Sequence, residues 1–394
     1  MSKARKSSSS PSSDPSTPQP ASASPEFLYD NVHQVGGIIT GTFDTPAYGP
    51  GMGSPALPTR VAMFNTGSGL RFTVSLDRGG DIVDAFYNQH SLTYLSQVGL
   101  RQPTMAAHVE PTAWLNNFPV GLLTTCGPRY MGGPRIEDGI QTTQHGHYSN
   151  SPAAVEMIFN PDPRQNNNEM FLTLVSRDVR ALGYCVETRR TIHCTLGKPE
   201  IRISDRVINR GNQRVAHNWL YHVNLGYPLL DKDARFILGG QAEYWQCPVG
   251  EDGSLLRKIS TKQMQSLKRV PGVIPEHVNG GERGLLIDPP ADEQGNAHVG
   301  LINPKLKLGL ELEYPVEQLP RLANWHLFGP GGVFVAGIEP YAGSLLGKAR
   351  DNHPLAVSYL EPGEWRDYSL NIRVLTDKNA MDKLASHDAP LTPR

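Results

Sequence analysis

Leu306-Lys307-Leu308-Gly309-Leu310-Glu311-Leu312-Glu313 is the stretch that decides the fold class. Leucine at every second position, separated by Lys, Gly and Glu, puts the apolar side chains on one face of an extended chain. A helix would need apolar positions three or four apart, so this segment reads as a half-buried strand.

The same period recurs on both sides of it. Leu70, Phe72, Val74 and Leu76 alternate with Arg71, Thr73, Ser75 and Asp77, and Tyr368, Leu370, Ile372 and Val374 alternate with Asp367, Ser369, Asn371 and Arg373. Between these ends, 169–175, 184–194, 200–208, 219–225 and 333–339 read as further strands, bounded by Gly, Pro, Asn and Asp clusters. Helical periodicity is confined to short pieces near Ala113–Phe118 and Ala380–Ser386, so a βαβ architecture is excluded. With 39 glycines and 33 prolines to make turns, the expected fold is all-β: a large antiparallel sandwich. Residues 26–378 are assigned to that domain, 1–25 to a disordered Ser/Pro-rich tail, and 379–394 to a C-terminal tail. The first 25 residues offer too little apolar surface to offset the entropy of ordering them.

Thirty-seven basic residues against 38 acidic ones give a formal charge of −1. No basic stripe is present to neutralise phosphates, which argues against nucleic acid as a partner. No segment has the apolar length of a membrane helix or of a signal peptide core, so a cytoplasmic protein that binds no membrane is expected. Cys126, Cys185, Cys194 and Cys247 form no CxxC pair, which suits a reducing compartment. Cys185 and Cys194 share one extended segment and stand roughly 30 Å apart along it, too far to bridge.

Three segments carry polar groups where a core would not want them. In Gln144-His145-Gly146-His147-Tyr148 the two histidines point the same way if the chain is extended, forming a polar site; the bland reading is a loop with one buried and one solvated His. In Trp219-Leu220-Tyr221-His222-Val223-Asn224-Leu225, alternation puts Trp219, Tyr221 and Val223 on one face and Leu220, His222 and Asn224 on the other. In Val333-Phe334-Val335-Ala336-Gly337-Ile338-Glu339-Pro340 an apolar strand ends in a carboxylate. Such a Glu is either exposed at the strand end, paired with a cation, or raised in pKa, the last being suited to a general base. Asp77-Arg78-Gly79-Gly80-Asp81-Ile82 adds an Arg fork that can clamp a carboxylate or hydroxyls, or simply close a turn. Trp114 and Trp325 offer flat faces on which the C–H surface of a sugar can pack. There is no GxSxG, P-loop, dinucleotide fingerprint or HExxH.

Taken in order, Asp77-Arg78-Gly79-Gly80-Asp81-Ile82, Gly121-Leu122-Leu123-Thr124-Thr125-Cys126-Gly127, His145-Gly146-His147-Tyr148-Ser149-Asn150, Tyr221-His222-Val223-Asn224-Leu225-Gly226-Tyr227-Pro228 and Gly337-Ile338-Glu339-Pro340 with Pro362-Gly363-Glu364 resemble the DUF4432 branch of the aldose 1-epimerase (galactose mutarotase-like) superfamily. The resemblance implies an antiparallel β-supersandwich and a small-molecule carbohydrate held on a concave sheet. It implies Glu339 as the base that takes the anomeric hydroxyl proton, His222 as the acid that protonates the ring oxygen, and His145 as a donor to substrate. Arg78, His147, Trp114, Asn224, Trp325 and His326 are the expected substrate contacts. The region that supplies a further acidic contact in mutarotases is not recognisable in the sequence.

Three functions follow as expectations. The first is epimerase-type acid/base chemistry at the anomeric carbon of a sugar or sugar acid, with no cofactor. The second is a metal-dependent lyase or isomerase acting on a glycoside or keto-sugar, in which His145, His147, His222 and Glu339, with His326 nearby, would ligate Mn²⁺ or Zn²⁺. The third is a non-catalytic carbohydrate-binding module. The edges of an open sandwich also allow a homodimer.

Overall fold

The computed structural model describes residues 34–44, 58–103, 110–247, 255–278, 280–351, 353–356 and 358–394; the segment 1–25 lies outside them. Two antiparallel sheets face each other. The first runs, in spatial order, Gly37–Phe43, Thr59–Asn65, Leu70–Ser75, Asp81–Tyr87, Leu123–Cys126, Trp219–Leu225, Phe334–Ala342, Arg321–Phe328, Glu282–Asp288, Gly240–Cys247 and Leu256–Arg257. The second runs Arg235–Ile237, Asn296–Asn303, Leu308–Pro315, Trp365–Leu375, Glu200–Asn209, Cys185–Thr195, Glu169–Val179 and Ala153–Phe159. This is the expected all-β supersandwich.

Alternation drives the association. Phe72, Val74, Tyr221, Val223, Ile287 and Ile338 of the first sheet meet Leu172, Ile192, Ile203, Leu310, Leu312, Leu370 and Ile372 of the second in one buried cluster. The leucine stretch sits inside the second sheet: Leu308–Pro315 pairs with Asn296–Asn303 and Trp365–Leu375, while Leu306 and Lys307 belong to the preceding turn. Its outer face is more covered than a half-buried strand requires. Glu311 is buried there between His298 Nδ1 at 2.9 Å and Arg373 Nη1 at 2.7 Å.

Residues 379–394 are not a loose tail. Lys378–Ala385 is a helix capped by Asp377, whose carboxylate accepts from the Ala380 N–H at 2.9 Å. It buries Leu384 against Ile237 and Leu375 of the second sheet. Leu391–Pro393 then pairs in parallel with Gly240–Cys247 of the first, so the chain end bridges both layers. All four cysteines are free. Among the described residues, no helix is long and apolar enough to cross a membrane.

The face of the first sheet turned away from the core positions the site. Its residues are the out-of-phase ones: Thr124 and Cys126, Leu220 and His222, Glu339 and Tyr341, Ala323 and Trp325, Leu286. They carry two apolar clusters, one around Met131, Leu220, Leu286, Ala323 and Tyr341, the other around Trp114, Phe118, Val120 and Val335. The polar groups lie between.

Candidate active site

Register brings the two key groups together. Leu220 pairs with Tyr341 and Val223 with Ile338, which sets His222 opposite Glu339 across adjacent antiparallel strands. Thr124 flanks His222 on one side and Ala323 flanks Glu339 on the other. His222 Nε2 lies 3.4 Å from Glu339 Oε1, and the residues are 5% and 3% exposed. Glu339 is thus mid-strand on a cavity floor, not at a strand end. Its carboxyl folds over Gly337, where an added Cβ would stand 2.0 Å from Oε1.

The pair forms the floor of a cavity of about 650 Å³, walled by Trp114, Phe118, His145, Trp245, Glu282, Leu286, Trp325 and Val335. That is within the size range of small-molecule sites. Aromatic rings surround the His222 imidazole: its centroid is 5.5 Å from His145, 5.4 Å from Trp325 and 6.0 Å from Phe118, all edge to face. Two of the three indoles have their N–H tied down, Trp114 to Ser149 Oγ at 3.0 Å and Trp325 to Glu282 Oε2 at 2.6 Å. Fixed, flat apolar walls around a small polar floor suit a ligand with one apolar and one hydroxylated aspect.

Burial decides the protonation. It pushes the Glu339 carboxyl well above the usual carboxylate range, with Glu282 adding to the effect. It pulls His222 well below the usual imidazole range, reinforced by His145 and opposed in part by Asn224. Burial thereby biases the two groups, 3.4 Å apart, away from a pair of charges and toward their neutral forms. His145 is lowered to about 4 by burial and then by Arg135. Its Nδ1 accepts from the Gly132 N–H at 3.4 Å, which leaves Nε2–H as a donor. Glu282, also in the cavity, is raised by burial and lowered in part by its bond from Trp325.

Of the nine residues singled out from the sequence, Glu339, His222, His145, Trp114 and Trp325 line this cavity and four do not. His147 does not share a face with His145: His145 has φ +55° and Gly146 φ +74°, and a short 3₁₀ turn follows, Tyr148–Asn150. These left-handed residues break the alternation, and His147 turns to Asp178, 3.2 Å from Oδ1. His326 faces the other way, stacked between Phe236 and Phe328 in the core and bonded to Asn324 Oδ1 at 2.8 Å. Trp325 and His326 are neighbours in a strand, so only one can face the cavity. Asn224 spends its carboxamide on the carbonyls of His222 at 2.9 Å and Gly121 at 3.2 Å. Arg78 is buried outside the cavity wall, its Nη atoms lacking a partner among the described residues. Burial brings it down to about 10, against the pull of Asp81.

The ligand set named for a metal is accordingly not assembled, because His147 is turned away. Among the described residues no three His, Cys, Asp or Glu side chains are grouped to hold a metal ion. Glu282, Phe118 and Arg135 were missed from the sequence. For Glu282 a signal existed: in Glu282-Arg283-Gly284-Leu285-Leu286 it shares strand parity with Leu286, as Glu339 does with Val335.

A cavity on the exposed face of one sheet of a β-supersandwich, with a carboxyl and an imidazole paired across its central strands, defines a galactose mutarotase-like protein in fold. Within that class the chain belongs to the family described as Domain of unknown function (DUF4432), whose model matches residues 58–374. Solved structures agree on the fold. A protein from Klebsiella pneumoniae subsp. pneumoniae MGH 78578, provisionally named an aldose 1-epimerase, superposes with a TM-score of 0.75 at 19% identity, over 87% of this chain and 88% of that one. A galactose mutarotase-like protein from Clostridium acetobutylicum gives 0.56 at 13% identity, over 80% and 95%. Galactose 1-epimerase from Lactobacillus acidophilus NCFM gives 0.50 at 10% identity, over 86% and 98%. No curated protein matches the sequence.

Proposed function

We propose that the protein interconverts the anomers of a sugar by acid/base catalysis, with Glu339 and His222 as the proton-transferring groups. The observation that carries this reading is the 3.4 Å pair itself, buried on the floor of an aromatic-walled cavity. The pair holds one proton in total, so one member can accept while the other donates. In the carboxylate–imidazolium form, Glu339 takes the proton of the anomeric hydroxyl as His222 delivers one to the ring oxygen, and the C1–ring oxygen bond breaks. The open-chain carbonyl rotates about C1–C2. Closure on the other face returns both protons and restores the pair. Water-excluding walls strengthen each of these transfers. In this reading His145, through its Nε2–H, donates to a sugar oxygen. No cofactor takes part in these steps.

The test is anomer exchange followed by NMR on a panel of aldoses and sugar acids. Wild-type protein should accelerate exchange of at least one sugar, and Glu339→Gln should lower the rate by about 10²-fold or more, as expected for loss of a general base. Binding without any acceleration would instead favour a carbohydrate-binding module.

A further inference from the structure

The rim of the cavity carries cationic groups that proton exchange at the floor does not use. Arg135 Nη1 donates to the carbonyls of Met131 at 2.8 Å and Gly133 at 3.1 Å. Its Nε is bonded to the Glu137 carboxylate. The guanidinium packs against Gly347, whose Cβ, if present, would fall 2.3 Å from Nε. These contacts fix the plane of the fork, yet Nη2 is buried without a hydrogen-bond partner among the described residues. An unspent buried N–H pair costs stability unless something else uses it.

The second cation is next door. Arg350 N–H bonds back to the Gly347 carbonyl at 3.0 Å, so the turn that accommodates Arg135 also carries Arg350, and both line the cavity. The Arg350 side chain is exposed and makes no ion pair among the described residues. Two acids of these loops are engaged elsewhere, Asp138 on Lys348 and Asp351 on Arg321 and Ser344, while Glu137 pairs with Arg135 itself through Nε. Deeper in, Glu339 and Glu282 are both biased by burial toward their uncharged forms. The cavity therefore has a floor biased toward neutrality, an Arg135 fork that is charge-compensated by Glu137 but keeps Nη2 unspent, and at Arg350 a cation with no ion pair among the described residues.

We propose that the substrate is an anionic sugar, bearing a carboxylate or phosphate remote from its anomeric carbon, and that Arg135 Nη2 and Arg350 bind that group at the rim. A fixed guanidinium edge and a second, solvent-exposed one from an adjacent turn are the geometry for clamping a planar or tetrahedral oxyanion. The inference rests on the anomeric centre lying over Glu339 and His222, and it names the substrate class of that site.

Glucose, glucuronate and glucose 6-phosphate are the probes, with dissociation constants from calorimetry and exchange rates from NMR, on wild type and Arg350→Gln. Arg350 is on the surface, so its loss leaves the fold intact. At least one anionic sugar should bind wild type about tenfold or more tightly than glucose, with a preference that weakens as salt rises. Arg350→Gln should reduce that preference by about fivefold or more, and whichever anion wins separates carboxylate from phosphate. Equal affinity for all three sugars, no binding of any, or a preference untouched by Arg350→Gln overturns the inference. Exchange of glucose without anion preference would sink the rim site and leave the epimerase reading standing. Tight anion binding lost in Arg350→Gln, with no exchange of any sugar, would do the reverse.

Discussion

His222 Nε2 and Glu339 Oε1 stand 3.4 Å apart across neighbouring strands, and burial drives their proton affinities in opposite directions, the carboxyl up and the imidazole down. The separation is longer than a strong hydrogen bond, which leaves the two atoms free to engage different oxygens of one ligand.

A pair that works with one proton fails when it holds two or none. As pH falls, the second proton adds at a value below the usual imidazole pKa of about 6.5, because burial resists the charge; the base is then lost. As pH rises, the last proton leaves above the usual carboxylate range and the acid is lost. The profile of kcat/KM should therefore be a bell whose acid limb lies below the usual imidazole range and whose alkaline limb lies above the usual carboxylate range. An acid limb at the pKa of an exposed histidine would contradict this.

Gly337 has an ordinary strand conformation, so alanine there strains no backbone, but its Cβ would occupy the space of the Glu339 carboxyl. The side-chain end can swing aside cheaply. Gly337→Ala should cost about 1 kcal/mol or less in stability while lowering kcat by about tenfold or more. Loss of melting temperature in proportion to activity would show instead that Gly337 is needed for packing.

His145 and His147 should separate cleanly. His145→Ala removes a donor from the cavity and should lower kcat/KM by roughly three- to tenfold, the worth of one hydrogen bond. His147→Gln, remote beside Asp178, should leave exchange within about twofold. Comparable losses at both positions would indicate that they act on one ligand.

Stability should fall on the acid side. His145 is partly buried and His217 fully buried, and both are held near 4, by desolvation first, with the Pro128 carbonyl opposing at His217. In the unfolded chain each titrates near 6.5. A depressed folded value gives stability that is complete above the unfolded pKa and is lost as pH falls through the folded one. Melting temperature should thus be level above about pH 7 and drop between about pH 6.5 and 4. A flat profile across that window would show that these rings are solvated.

Strand alternation made much of this legible. In Trp219–Leu225 the period of two correctly separated His222 from Tyr221, because nothing interrupts the strand. The same rule failed at His145 and His147, where Gly146 and a left-handed His145 replace extended chain. It was also sufficient to exclude either Trp325 or His326, though not to say which; that depends on Ala323 pairing with Glu339. Glu282 and Arg135 enter the cavity from segments about 60 and 200 residues from Glu339 in sequence, and only the sheet order brings them there. Non-local pairing has no local signature, so the walls of the site were harder to read than its floor.

The most direct test of the central claim is anomer exchange by NMR with wild type, Glu339→Gln, His222→Gln and the double variant on the best substrate. If the two groups act as a unit, each single change should cost about 10²-fold or more and the double variant should be little worse than either. Losses that multiply, or a Glu339→Gln protein as fast as wild type, would contradict the pair as the proton-transfer centre.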